Sequence, residues 1–177
     1  PGKRGIYTNA RTNLEIALVA DGVFASAVYT VLENQTGAVD RAINKVKALC
    51  EDPNGGCIFW SYGSKPAELL MSKEVVMSTA WSNKLFIAEV DKNEPIKQVW
   101  NGQIMDYEYF AIVSGSSDQE EAMNTLRYFT STEASANLAK HVPYAPWRNS
   151  ALDVIKANEP WYKDGRTNIL PYIPSSL

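Results

Sequence analysis

The chain has 177 residues, a formal net charge of −3 and 45% hydrophobic residues. That length suits one large domain or two small lobes with a real core. The mild acidity argues against a nucleic-acid partner, which calls for a basic surface, and no apolar run approaches the roughly 20 residues of a membrane span, so no direct membrane insertion is expected.

In chain order, Ile6-Tyr7 reads as a strand end, and Asn9 to Asn13 leads into a helix from about Thr12 to Ala20 stopped by Asp21-Gly22. That helix is apolar almost all round, which predicts burial. Ala25 to Gly37 reads as loop. Val39, Ile43, Val46 and Cys50 recur on one face of a second helix, about Val39 to Leu49. Pro53, Asn54, Gly55 and Gly56 force a reversal between Cys50 and Cys57. Cys57 to Trp60 reads as a buried strand, Ser64 caps a short helix ending near Met71, and Glu74 to Ser78 is another strand. A helix follows over about Asn83 to Val90, with strands at Ile96 to Trp100 and Tyr107 to Val113. Ser117-x-x-Glu120 is a capping box for a helix from Asp118 to Phe129, and another helix starts near Thr132. The tail from Ala151 is mostly loop with one short helix, about Ala151 to Ala157. Strands alternating with helices predict an α/β architecture.

Catalytic signatures are missing. The sequence has no glycine-rich phosphate loop, no GxSxG elbow and no HExxH. The single His141 and two cysteines fall short of the usual metal-ligand sets, and no cofactor is expected. Asp106 and Glu108 project to one side if their segment is a strand, as a cation-binding pair or a solvated strand end. Their use as acid and base defines the enzymatic alternative, which lacks a further partner acid.

Ligands of open α/β folds bind outside the carboxyl ends of strands. Three junctions qualify here: 8–12, which holds Asn9 and Thr12 at a helix start; 78–83, which places Trp81 at a helix start; and the Asp106 to Glu108 stretch. An aromatic ring with carboxylates suits an organic ammonium, by cation–π attraction and charge-assisted hydrogen bonds. The ordinary readings are helix caps for Asn9 and Thr12, core for Trp81 and plain surface for Asp106.

At these residues a family becomes recognisable. PGKRG at 1–5, LEIALVADGV at 14–23, VDRAINKVKAL at 39–49, and the stretches 58–85 and 99–146 resemble the solute-binding proteins of bacterial ABC importers, in particular the spermidine/putrescine-binding type. The specific part is an ordered combination: Lys73 to Met77, then Ala80-Trp81, then the acidic strand, then the Glu-Ala-Met helix. The resemblance implies an α/β fold of the periplasmic binding protein type 2 kind and a role without catalysis. It implies capture of a small amine-bearing solute, a polyamine or a related cationic or zwitterionic compound, for delivery to an inner-membrane ABC permease. A ligand-sensing domain of the same fold is the alternative. The family's cleft tryptophan corresponds to Trp81, and its amine-gripping aspartate falls on Glu108. The aromatic two residues earlier falls on Asp106. Two acids of polyamine binders fall near Asn9 and Thr12, which are neutral, and this departure puts a monocationic or zwitterionic amine, an amino-acid conjugate or an opine-like compound on a level with a polyamine; Arg11 would favour a carboxylate on the ligand.

Set on that family pattern, 1–103 is lobe two, 104–113 the crossing strand and hinge, 114–150 the returning helices of lobe one and 151–177 a tail. The expectation is therefore one α/β lobe plus the returning part of the other: a fragment without the N-terminal part, starting at Pro1 without Met. Lobe-one helices such as 118–129 would expose an apolar face, inviting dimerisation or domain swapping. A periplasmic location follows from the resemblance, and with it a Cys50–Cys57 disulfide; in a cytosolic protein both would be buried thiols.

Overall fold

The computed structural model describes residues 2–142, 144–155 and 159–173. It divides into two compact units, Pro1–Ile104 and Met105–Leu177. The first holds a three-stranded parallel sheet in the order β2-β1-β3, made of β1 (Arg4–Tyr7), β2 (Cys57–Trp60) and β3 (Met77–Ser78). The helices α1 (Ala10–Ala20), α2 (Val28–Asn34) and α3 (Ala38–Cys50) lie between β1 and β2 in sequence. After β2 come α4 (Lys65–Met71), β3, α5 (Ser82–Phe86) and a π-helical turn, Ile87–Asp91.

Helix α1 starts irregularly. Arg11 has extended ψ and Thr12 a φ of 73°, so regular helix begins only at Asn13. The Asn13 amide donates to the carbonyls of Tyr7 and Asn9, at 2.6 and 2.8 Å, and pins this turn to the end of β1. The helix stops where its sequence says it should. Gly22 takes a φ of 88°, and the Gly22 and Val23 amides donate to the carbonyls of Val19 and Leu18.

Ala17 and Leu18 of α1 meet Val28 of α2 and Ala42 of α3, with Leu14, Val31, Leu32 and Val46 around them. Two expectations change here. The stretch 25–37 is not loop: Val28, Val31 and Leu32 stand at helical spacing and cover α1, so α2 forms there. On α3 the buried face is Ala38 and Ala42, while Val39 and Ile43 are 43% and 49% exposed. Because α1 supplies the bulk, small residues on α3 let the two helices approach closely. Arg41 and Lys45 of α3 then both reach the carboxylate of Asp21 just past α1, Lys45 at 3.0 Å.

The predicted disulfide is present: Cys50, ending α3, is bonded to Cys57, starting β2. It closes the reversal that β1 leans on. Gly2 and Arg4 donate to the carbonyls of Asn54 and Gly56, both at 3.0 Å, and Arg4 pairs with Asp52 at 3.3 Å.

Other strand expectations fail. β3 is two residues long rather than Glu74 to Ser78. Neither 96–100 nor 107–113 is a strand. An extended segment leaves its backbone groups unpaired unless a neighbour supplies a ladder, and the sheet among the described residues stops at β2 and β3. The acidic segment at Asp106 and Glu108 is accordingly exposed chain without regular structure.

The second unit contains α6 (Gln119–Phe129), α7 (Thr132–Ala139) and α8 (Ser150–Val154), followed by a 3-10 turn, Leu170–Tyr172. Its core is Ala136 and Ala139 of α7, Ala151 and Ile155 at α8, and Tyr162, Ile169 and Ile173 of the tail. Residues 156–158, where the predicted tail helix would end, lie outside the described residues. No residue of α6 is buried. Its capping box does not form, because the Ser117 hydroxyl donates to Asp118 instead and Asp118 stands at the N-cap. Ser131 caps α7, accepting from the Ala134 amide.

Two measurements check these elements. Replacing Cys50 and Cys57 by serine should cost about 2–3 kcal/mol, since the loop is short and mainly the unfolded chain is released; an unchanged urea midpoint would show that the bridge contributes nothing. In the tail, the Thr167 hydroxyl and the Arg166 and Thr167 amides all donate to Asp164 and hold its carboxyl down at about 2. A depressed carboxyl stabilises the fold above its unfolded value near 3.8 and loses that stabilisation as pH falls through about 2. Asp164→Asn should therefore flatten the decline in denaturation midpoint across that window; parallel declines in both proteins would remove Asp164 as a contributor.

Candidate functional site

The carboxyl ends of the strands gather three aromatic rings. Tyr7 ends β1 and Trp60 ends β2, and the parallel register sets them side by side. Their rings stack at 4.6 Å between centroids. Trp81 follows β3 at the N-cap of α5 and presents its indole edgewise to both, 6.2 Å from Tyr7 and 6.1 Å from Trp60. Trp60 is buried, whereas Trp81 is 45% exposed, so Trp81 is not the core residue of the ordinary reading. A Cβ at Gly63 would fall 2.3 Å from the Trp81 indole, so only glycine in the loop after β2 lets the ring lie there.

Beside this cluster stands the irregular start of α1. The Thr8 amide donates to the Trp60 carbonyl at 2.9 Å. The side chain of Asn9 accepts from the Arg11 amide at 3.0 Å, the cap of its ordinary reading. Thr12 occupies the left-handed region, where a β-branched residue is strained.

Three polar atoms, one in Trp60 and two in the segment around Trp81, lack partners. Trp60 Nε1, Thr79 Oγ1 and Asn83 Oδ1 are all buried without a hydrogen bond. Each such orphan costs about 1–3 kcal/mol. Thr79 and Asn83 flank Trp81 in sequence, two residues on either side. Together the ground offers aromatic faces, a donor and two neutral acceptors, which is equipment for binding a small polar or cationic molecule. Among the described residues no group of three His, Cys, Asp or Glu side chains is placed to hold a metal ion, and no helix is long and apolar enough to cross a membrane.

The structure brings Trp81, Asn9 and Thr12 to the sheet ends of the first unit. Asp106 and Glu108 belong to the second, both exposed, with the Tyr107 amide donating to Asp106 at 2.9 Å. Two open concavities in that unit flank the start of α6, lined by Ile112, Val113, Met123 and Leu126, and none of the predicted site residues lines them. Sequence reasoning missed Tyr7 and Trp60. The available signal was that both are aromatic residues closing short apolar strands, where a parallel sheet delivers its side chains to a ligand.

Comparison with known proteins agrees with a binding role. Residues 1–167 match the family model of the bacterial extracellular solute-binding proteins. The chain is 32% identical over 155 residues to the gamma-aminobutyric acid-binding protein of Pseudomonas aeruginosa, covering 88% of this chain and 42% of that protein. Among solved structures it is similar to the Atu4243-GABA receptor, with 25% identity and a TM-score of 0.66 over 87% of this chain and 45% of the other. The PBP MotA from A. tumefaciens B6, in complex with glucopine, has the same fold at 23% identity and a TM-score of 0.66, covering 87% of this chain and 46% of that one. The chain thus spans under half the length of these relatives. Its fold is the α/β, periplasmic-binding type 2 kind, and the family assignment is that of a periplasmic binder rather than a catalyst. The chain belongs to the bacterial extracellular solute-binding protein family.

Proposed function

We propose that the chain serves as the substrate-binding component of a bacterial ABC importer and captures a small amine-bearing solute for a membrane permease. Within that class the reading is a zwitterion with one ammonium and one carboxylate, of the γ-aminobutyrate kind. The observation that carries it is the cluster of Tyr7, Trp60 and Trp81 at the strand ends. A half-exposed indole braced by two further rings offers a π face to a cation, worth about 0.5–2 kcal/mol depending on desolvation. The relative from Pseudomonas aeruginosa, described as a gamma-aminobutyric acid-binding protein, supports the same solute class.

A polyamine fits less well. Each ammonium of spermidine or putrescine needs its own acceptor of charge, and Asn9 and Thr12 are neutral where the resemblance points to acids. Arg11, next to Thr12, instead suits a ligand carboxylate. Trp81, Asn9 and Thr12 form the wall read from this unit. Glu108 and Asp106 enter on the family resemblance, Glu108 as the carboxylate that takes the amine.

Titration calorimetry of the chain with γ-aminobutyrate, putrescine and spermidine tests the reading. Saturable binding of γ-aminobutyrate, at least tenfold tighter than of either polyamine, is expected. Trp81→Ala and Glu108→Ala should each weaken it by tenfold or more with unaltered circular dichroism. Turnover of the ligand, or tighter binding of the polyamines, would sink the proposal.

A further inference from the structure

The orphan atoms around Trp81 go further than the aromatic cluster alone. A π face attracts any cation, whether its nitrogen carries hydrogens or methyl groups. Thr79 Oγ1 and Asn83 Oδ1 add something a ring does not have, two lone-pair acceptors. Both are buried and unpartnered, and each stands two residues from Trp81. Two residues span at most about 7 Å between Cα atoms, so the backbones of Thr79 and Asn83 both lie within that distance of the Trp81 backbone. Thr79 is fixed there by its backbone, whose amide donates to Gly5 at 3.1 Å while its carbonyl accepts from the Ser78 hydroxyl at 2.8 Å. Asn83 is fixed in the first turn of α5, which Trp81 caps. The third orphan, Trp60 Nε1, sits in a residue only 3% exposed. It is a donor and has no part in gripping an ammonium, but it independently marks the same ground as built for a polar guest.

We infer that Thr79 and Asn83 are specificity-determining residues that accept N–H hydrogens from the ligand's ammonium, so that the site selects a primary amine over a quaternary one. The inference rests on the amine-binding reading above. Both acceptors are neutral, so they match one ammonium without adding a formal negative charge. A quaternary head keeps the attraction to Trp81 but has no hydrogen to give; it leaves both oxygens unsatisfied and crowds them with methyl groups.

The experiment compares γ-aminobutyrate with its N,N,N-trimethyl derivative by calorimetry on the chain. The unsubstituted amine should bind more tightly by about a hundredfold or more, the least that two hydrogen bonds to a charged donor supply. Thr79→Val and Asn83→Leu should each lower γ-aminobutyrate affinity about tenfold while leaving the trimethyl derivative unchanged, and Thr79→Ser, which keeps the hydroxyl, should restore it. Equal affinity for the two ligands, or preference for the trimethyl form, overturns this inference and leaves amine binding standing. Variants that lose both ligands equally show a structural role and also overturn it. Failure to bind either ligand overturns the amine-binding reading together with the inference.

Discussion

The pairing of β1 with β2 sets the rest of the first unit. It is a parallel ladder of only four residues a strand, and short parallel pairs need help to hold register. Help comes from both ends. At the amino end, the Cys50–Cys57 bridge holds the reversal that receives the amides of Gly2 and Arg4. At the carboxyl end the Tyr7–Trp60 stack closes the ladder. A slip of one residue would send Trp60 to the opposite face of the sheet. The stack that Trp81 abuts would then be lost, and Thr8 would lose its bond to the Trp60 carbonyl. Register and site are therefore one constraint.

Much of this was legible from local signals. Gly22 ends α1 because only a left-handed residue closes that cap without strain, and the Pro-Asn-Gly-Gly reversal brings the two cysteines close, while the bridge itself was implied by the family resemblance. Trp81 was legible as the residue opening a helix after a strand. What was not legible is decided by neighbours. Val39 and Ile43 read as a buried face by periodicity, yet Ala38 and Ala42 face α1, because close approach of two helices is a property of the pair. The strand pattern over Tyr107 to Val113 carries no information about whether a partner edge exists, and here it forms no ladder. Tyr7 and Trp60 lie more than fifty residues apart in sequence, and only the sheet register makes them adjacent.

Some departures from ordinary local rules stand at the strand ends. Thr12 holds a left-handed φ at the start of α1 although its side chain is β-branched. Trp60, at the end of β2, and Thr79 and Asn83, after β3, keep buried polar atoms without partners. The core around α1 is mostly apolar, where Ala17, Leu18, Val28 and Ala42 meet, although Glu15 of the same helix also buries a carboxylate oxygen without a partner. Uncompensated cost of this kind persists where the surrounding structure over-determines it and where something else completes it. A ligand ammonium supplies the missing donors for Thr79 and Asn83, and the bound state then recovers what the empty fold forgoes. The same atoms that weaken the isolated fold thus sharpen its choice of ligand. A cluster of aromatic rings alone would remain indifferent to how the nitrogen is substituted.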